Sequence, residues 1–201
     1  VKGITFTTDE LISLELDELK INTISEHHLF HILRNGRKCL LVLRAGEIIT
    51  QDFIDRYKTK GLESFQALNI VNSNLIQEYK LLWEQLQNCN SQKKQLALKD
   101  ELLLKFMQDN NSESPNSILC FVISCFNEFY QLPMDMILKY QASSYTMFTR
   151  GLIMSSFSTL SCMAHGVIDY HFLKDFYNTT LFVDYGPVSY THLRAHETRH
   201  D

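Results

Sequence analysis

The stretch HLFHILRNGRKCLLVLRAGEIITQDFIDRYKTKGLESFQAL, residues 28–68, decides the fold of the first part of this chain. It contains two short apolar runs, 29–33 and 39–43, which flank the pair Asn35 and Gly36. An Asn-Gly pair between apolar runs is typical of a β-hairpin, because both residues tolerate a positive φ. The sequence therefore predicts two antiparallel strands joined by a short turn.

A helix and a further strand are expected after the hairpin. Thr50 is a suitable helix N-cap, and Asp52 in the first turn complements the helix dipole. Gly61 suits the position after the helix end, where a positive φ is common, and residues 62–68 are predicted to return as a strand. The pattern over residues 1–70 is that of a small α+β module.

Beyond residue 70 the chain changes to long amphipathic stretches, in which apolar residues recur three and four positions apart as on one face of a helix. We expect a helical connector over 71–113 and an α-helical domain over 114–186, so the predicted fold class is α+β. The apolar faces of three predicted helices are Leu75, Tyr79, Leu82, Trp83 and Leu86; Leu96, Leu102, Leu103, Phe106 and Met107; and Leu119, Val122, Ile123, Phe126 and Tyr130.

Two further helices are predicted after a break at Pro133, which interrupts regular structure. The first should run from about 144 to 164 and end at Gly166. The last should begin near Asp169. Together they form a helical hairpin near the end of the chain.

The composition is that of an ordinary globular protein without nucleic-acid character. The 201 residues are 45% hydrophobic, and 19 basic against 23 acidic residues give a net charge of −4. A general DNA- or RNA-binding protein would show a basic surface, so neither is expected as a partner. The five cysteines form no CxxC pair, which favours reduced thiols, with Cys120 and Cys125 as small buried apolar residues.

The predicted location is the cytoplasm, without a membrane segment. The first residues lack the basic start and apolar run of a signal peptide. The best candidate for a membrane span is 151–168, which contains no Asp, Glu, Lys or Arg. It is rich in Ser and Thr, and its apolar residues recur on one side, which favours a buried helix over a lipid-facing one.

A histidine cluster stands out in the first part of the chain. His27, His28 and His31 lie beside Glu26. Because the segment is predicted to be a strand, His27 and His31 share a face but lie too far apart for one tetrahedral ion. No metal site is therefore expected there.

Other catalytic patterns are also missing from the sequence. Neither Cys120 nor Cys162 has a nearby His–acid pattern, so a nucleophilic cysteine is not expected. Glycine is scarce at seven residues, and there is neither a GxGxxG segment nor a Walker loop. The sequence therefore predicts no phosphate-cradling loop.

Residues 187–201 are expected to be foreign to the native protein. The segment VSYTHLRAHET, residues 188–198, resembles a translated transposase sequencing adapter. Such segments are left out of fold reasoning, and with them the three histidines of this tail. We expect the native sequence to stop near Gly186.

The segment FLKDFYNTTLFVDYG, residues 172–186, resembles the HD and HD-GYP family of metal-dependent phosphohydrolases. In that family an apolar helix ends in His-Asp and a small turn with Gly, and the preceding helix carries another ligand histidine. The predicted helix 144–164, the turn at Gly166 and the helix leading to Asp184 reproduce this spacing. Residues 28–68 are similar to the small module in front of many HD-GYP domains.

The resemblance implies a metal site that has lost its ligands. The family binds a di-iron or di-manganese centre, which lowers the pKa of bridging water. Here the His-Asp slot holds Val183 and Asp184, the upstream ligand slot falls near Arg150, and Asp184 is the single weak candidate for a metal ligand. His165 and His171 lie at the wrong end of the helices to substitute. We therefore expect no catalytic residues and no cofactor in this chain.

Three functions follow from the resemblance as expectations. The first is a non-catalytic, degenerate HD-GYP-like signalling protein of bacterial type, which binds a cyclic dinucleotide such as cyclic di-GMP or a signalling protein. The second is an active metal-dependent phosphodiesterase whose remaining ligands lie beyond Gly186. The third is a helical protein-interaction domain, in which Trp83, Phe106 and Phe126 serve only as core.

Overall fold

The computed structural model describes residues 11–33, 39–69, 71–111 and 116–185. Its fold class is α+β, as predicted: a four-stranded sheet with one helix, followed in the chain by six helices. The elements are, in order, β1 (Leu11–Glu15), β2 (His27–Ile32), β3 (Cys39–Leu43), α1 (Gln51–Lys58), β4 (Ser64–Asn69), α2 (Ser73–Asn88), α3 (Gln92–Asn111), α4 (Ser117–Phe129), α5 (Met134–Ser143), α6 (Tyr145–Ala164) and α7 (Tyr170–Leu181).

The sheet contains the predicted strand pair and one strand that the pattern did not predict. Its order is β1-β4-β2-β3, and every pair is antiparallel. The predicted pairing of β2 with β3 is confirmed, while the turn residues Asn35 and Gly36 lie outside the described residues. The additional strand is β1, which pairs with β4 along the opposite edge.

Helix α1 forms where the sequence predicted it, and it packs on this sheet. Thr50 is its N-cap, and its hydroxyl oxygen accepts a hydrogen bond from the Phe53 N–H at 3.0 Å. Gly61 follows the helix with a φ of +72°. The rings of Phe53 and Phe65 stack at 5.5 Å between helix and sheet, which gives the module a small core of its own.

The helices after the sheet share one larger core. The predicted face of α2 is fully buried, and Trp83 at its centre donates its ring N–H to the Ser124 hydroxyl on α4 at 3.3 Å. The predicted face of α3 is only partly correct: Leu102 and Phe106 are buried, whereas Leu96 and Met107 are exposed. Met107 follows the buried Phe106 directly and therefore lies on another face of the helix, whereas Leu96 lies near the exposed start of α3.

Helices α6 and α7 form the predicted hairpin near the end of the chain. Ser144 caps α6 through a hydrogen bond from the Met147 N–H, and Asp169 caps α7. Gly166 ends α6 with a φ of +90°, a conformation that glycine adopts without strain. Helix α5 is an addition to the prediction, because Pro133 does not merely break the chain but occupies the N-cap of this helix.

Helix α6 covers most of the apolar segment 151–168. Ser155, Ser156 and Thr159 are buried, and their hydroxyls donate to backbone carbonyls one turn earlier. Such internal hydrogen bonds let hydroxyl side chains pack against neighbouring helices at low cost. Within the described ranges, no helix has both the length and the apolar character needed to cross a membrane.

The module is packed against the helices rather than separated from them. Ile24 and Ile48 belong to the core that the helices build. The Ile48 N–H donates a hydrogen bond to the side-chain carbonyl of Gln141 on α5 at 3.0 Å. The turn before α1 is thereby fixed to the helical part, which matters for the cavity described below.

Candidate functional site

The structure brings together two of the three residues that the resemblance singles out. Arg150 lies in the second turn of α6, and Asp184 lies in the turn that follows α7. The Arg150 Nε atom is 3.4 Å from Oδ2 of Asp184, an ion pair across the helical hairpin. The arginine side chain is 67% exposed and the aspartate side chain 29% exposed, so the pair lies at the surface with the carboxylate partly covered.

A glycine next to Arg150 explains why the two helices lie so close here. A β-carbon at Gly151 would lie 2.7 Å from the backbone carbonyl oxygen of Leu181 on α7. Only a residue without a side chain fits such an approach. The end of α7 and the turn carrying Asp184 are therefore held directly over the first turns of α6.

Tyr140 on α5 closes the apolar side of this site. Its ring packs against Phe182 and Tyr185, with centroid distances of 5.5 and 4.9 Å, and its hydroxyl donates to the Met147 carbonyl oxygen at 3.0 Å. Burial raises the pKa of Tyr140, the Asp184 charge raises it further, and the Arg150 charge opposes both. The phenol is thus held neutral, which suits packing better than proton transfer.

The third residue of the set, Val183, has an apolar side chain that offers no ligand atom. It is 64% exposed. His165 and His171 lie at the opposite ends of α6 and α7, beside the Gly166 turn. The imidazoles that the family would place near Asp184 are not supplied by any of these positions.

The donor set does not fit the di-iron or di-manganese centre that the resemblance implies. Across the described residues, no group of three or more His, Cys, Asp and Glu side chains is arranged to hold a metal ion. Asp184 faces a guanidinium, which repels a cation, and Val183 has no donor atom.

The histidines of β2 have separate environments instead of a common one. His27 and His28 are neighbours on the strand and therefore point to opposite faces, since side chains alternate along a strand. The Nδ1 atom of His28 accepts a hydrogen bond from the Ala45 N–H at 3.1 Å. Burial lowers the pKa of His28, the Arg44 charge lowers it further, and the Glu47 charge raises it. His28 thus acts as a neutral acceptor that holds the turn after β3.

The cysteines fit the expectation of buried thiols. Cys120 and Cys125 are buried in α4, and both are free. Burial raises the pKa of each thiol, which is the opposite of what a nucleophilic cysteine needs. Their positions are those of small apolar core residues.

The sequence did not reveal a second site, an apolar cavity between the module and the helices. It has a volume of about 380 Å³ and is lined by the turn at Ala45 and Gly46, by the start of α4 and by α6. These segments are far apart in the chain, so no local pattern announces their meeting. The only partial signal was the strong apolar character of α4.

The chemistry available at the two sites differs. The Arg150–Asp184 pair offers an exposed guanidinium whose charge is only partly compensated, and guanidinium groups bind phosphate well. The cavity offers apolar surface.

No protein-family model, no curated protein and no solved structure matches this chain.

Proposed function

We propose that this chain is a degenerate HD-GYP-like signalling protein of the cytoplasm, which acts by binding and not by hydrolysis. The observation that carries the proposal is the Arg150–Asp184 ion pair at 3.4 Å, at the position where the resemblance would place metal ligands. A hydrolase of this kind needs several imidazole and carboxylate ligands to activate water. Here the remaining carboxylate is paired with a fixed cation.

The electrostatics of the pair support loss of metal binding. Two like charges about 4 Å apart repel by roughly 1 kcal/mol in water and by more near a protein surface. A divalent ion on Asp184 would meet this repulsion from Arg150. It would also have to displace the guanidinium from the carboxylate.

The same arginine supports a cyclic dinucleotide as the ligand. Cyclic di-GMP carries two phosphodiester charges and two purine rings. The atom of Arg150 paired with Asp184 is Nε, and the side chain is largely exposed, so the guanidinium is accessible to a phosphate, which can accept hydrogen bonds from it. The partly exposed rings of Phe182 and Tyr185, which pack on the buried ring of Tyr140, provide apolar surface next to it.

Two measurements on the purified chain test this proposal. The chain is loaded with Fe²⁺ or Mn²⁺, desalted and analysed for bound metal, and cyclic di-GMP hydrolysis is followed by chromatography. We expect substoichiometric metal and no hydrolysis. Stoichiometric metal with turnover would contradict the proposal and favour the active phosphodiesterase.

Calorimetry with cyclic di-GMP tests the binding part. We expect measurable binding of cyclic di-GMP. Arg150→Ala should weaken it, whereas Lys139→Ala should keep the dissociation constant within about twofold of the native value. Lys139 is the matched control, because it is an exposed cation on the adjacent helix α5 and is paired with Asp135 one turn away. Unchanged affinity of Arg150→Ala for cyclic di-GMP would contradict the assigned site.

A helical protein-interaction domain is the second candidate function, and one observation favours it. Leu104 and Met107 on α3 are about 60% exposed, adjacent in space on a helix surface. Clusters of exposed apolar side chains are commonly surfaces for contact with other proteins. Absence of heat with cyclic di-GMP, together with absence of metal, would favour this function over the first.

A further inference from the structure

We propose that the cavity between the module and the helices is a binding site for an uncharged, mainly apolar small molecule. The proposal goes beyond the signalling function above and does not depend on the HD-GYP resemblance. It rests on the volume of the cavity, the chemistry of its wall and the way its rim is fixed.

The size of the cavity is that of a ligand site. Its volume of about 380 Å³ falls within the range of about 300–1,000 Å³ that is usual for small-molecule pockets. The cavity is open to solvent on one side, where Ile118 and Ile153 are exposed, so a ligand of that size can enter it. The space therefore suits a molecule of one or two rings or a short aliphatic chain.

The wall of the cavity selects against charge. None of the described residues that line it is charged. Val122 and Leu152 are buried and form apolar floor, whereas Ile118 and Ile153 are exposed and lie at the mouth. A charged ligand would lose its hydration there without an ionic partner, which is costly.

Few polar groups are available to orient a ligand. Asn116, Ser117 and Thr149 are the polar residues of the wall. The Thr149 hydroxyl already donates to the Tyr145 carbonyl oxygen at 2.9 Å. The ligand is therefore expected to have at most one or two hydrogen-bonding groups.

The rim on the module side is held in place before any ligand arrives. The Ala45 N–H donates to His28, and the Gly46 N–H donates to the Ser25 carbonyl oxygen at 2.8 Å. Gly46 adopts a φ of +86° in this turn, a conformation that favours glycine. A preformed rim lowers the entropy that ligand binding costs.

The chemistry of the wall also makes the cavity unsuitable for a cyclic dinucleotide. A cyclic dinucleotide carries two negative charges, and none of the described residues of the wall is a cation that could receive them. The two sites therefore predict different ligands, and each can fail without the other.

The test uses N-phenyl-1-naphthylamine, an uncharged probe whose fluorescence rises in apolar surroundings. We expect saturable binding to the full chain, no displacement by cyclic di-GMP, and at least about tenfold weaker binding for Ile153→Glu, which corresponds to about 1.4 kcal/mol. Met154→Glu is the matched control: Met154 is the next residue of α6, is similarly exposed and does not line the cavity. The affinity of Met154→Glu for the probe should stay within about twofold of that of the native chain.

Three results would overturn the proposal. The first is no fluorescence rise with the probe. The second is equal loss of binding in both variants, which would indicate non-specific adsorption. The third is unchanged binding in Ile153→Glu, which would place the probe elsewhere. Thermal unfolding of both variants without probe shows that they fold alike, and an NMR shift of the Ile24 methyl group on probe addition gives an independent location.

Discussion

Gly151 of α6 and Leu181 of α7 are in backbone contact: a β-carbon on the glycine would stand 2.7 Å from the leucine carbonyl oxygen. The Tyr140 hydroxyl lies 3.2 Å from the same point. The neighbour at 2.7 Å is a backbone atom, so it cannot rotate away as a side chain can. The close approach therefore fixes the distance between the two helices that carry Arg150 and Asp184.

Gly151→Ala is expected to destabilise the protein, although alanine is the better helix former. Alanine would gain about 1 kcal/mol of helix propensity over glycine, but forcing an extra methyl into a packed contact costs typically 1–3 kcal/mol. Because the neighbour at 2.7 Å is a backbone atom, the steric term is the larger, and we expect a net loss of up to about 2 kcal/mol in urea unfolding. Ser161→Ala, at an exposed position of the same helix, should be neutral or slightly stabilising. Equal stability of Gly151→Ala and the native chain would contradict the close approach.

Phe129 is the centre of an aromatic cluster, and its removal should be among the costliest single changes. Its ring contacts Trp83, Tyr170 and Tyr177 at centroid distances of 4.9, 5.5 and 5.6 Å. Truncation of a buried phenylalanine to alanine costs about 3–5 kcal/mol. Trp83 is the only tryptophan, so its fluorescence reports the unfolding transition directly.

The matched control for Phe129→Ala is Phe172→Ala. Phe172 is half exposed on α7, and surface substitutions usually change stability by no more than about 0.5 kcal/mol. If Phe129→Ala and Phe172→Ala lowered the free energy of unfolding by similar amounts, the aromatic cluster would not be the core of the helical part.

The sequence predicted what local chemistry decides. Thr50, the predicted N-cap of α1, accepts a hydrogen bond from the N–H three positions later. Ser144 and Asp169, near which two helices were predicted to begin, do the same for α6 and α7. Such a signal is complete within four residues. Gly166 ends α6 for an equally local reason. The hairpin strands and the helical faces follow from short-range periodicity.

The elements that were missed depend on distant partners. β1 is an edge strand with no fully buried residue, and its pairing with β4 joins segments about fifty residues apart. Helix α5 buries only Ile137 and Tyr140, too few for a periodic signal. The cavity needs the Gly46 turn to meet α4 and α6, which no local pattern encodes. The Arg150–Asp184 pair was within reach only because the family resemblance named both positions.

Stability is expected to fall at mildly acid pH because of His28. Burial and the Arg44 charge lower its pKa in the folded protein, with Glu47 opposing, whereas the unfolded chain keeps the ordinary value of about 6.5. Between the two pKa values the unfolded state binds more protons than the folded state. The contribution of His28 to the free energy of unfolding is therefore fully present above about pH 6.5, and it is lost as the pH falls toward the folded-state pKa. Urea unfolding at pH 7.5 and at pH 5.5 measures this difference.

His28→Asn separates this effect from other titrations. The asparagine carbonyl oxygen can accept the Ala45 N–H as Nδ1 does, but it does not titrate. We expect the variant to show a smaller loss of stability between the two pH values than the native chain. An unchanged pH dependence would mean that His28 does not contribute.

The Arg150–Asp184 pair is expected to matter for binding and little for stability. Both side chains reach solvent, and double-mutant cycles on exposed pairs typically give about 0.2–1 kcal/mol. A cycle built from Arg150→Ala, Asp184→Ala and the double variant should return a coupling in that range, and added salt should reduce it because exposed charges are screened. A small coupling means that Arg150→Ala folds normally, so a loss of cyclic di-GMP binding in that variant reports contact with the ligand and not collapse of the site. A coupling of several kcal/mol would instead make the pair a structural support of the α6–α7 hairpin, and a loss of cyclic di-GMP binding in Arg150→Ala would then no longer identify a ligand contact.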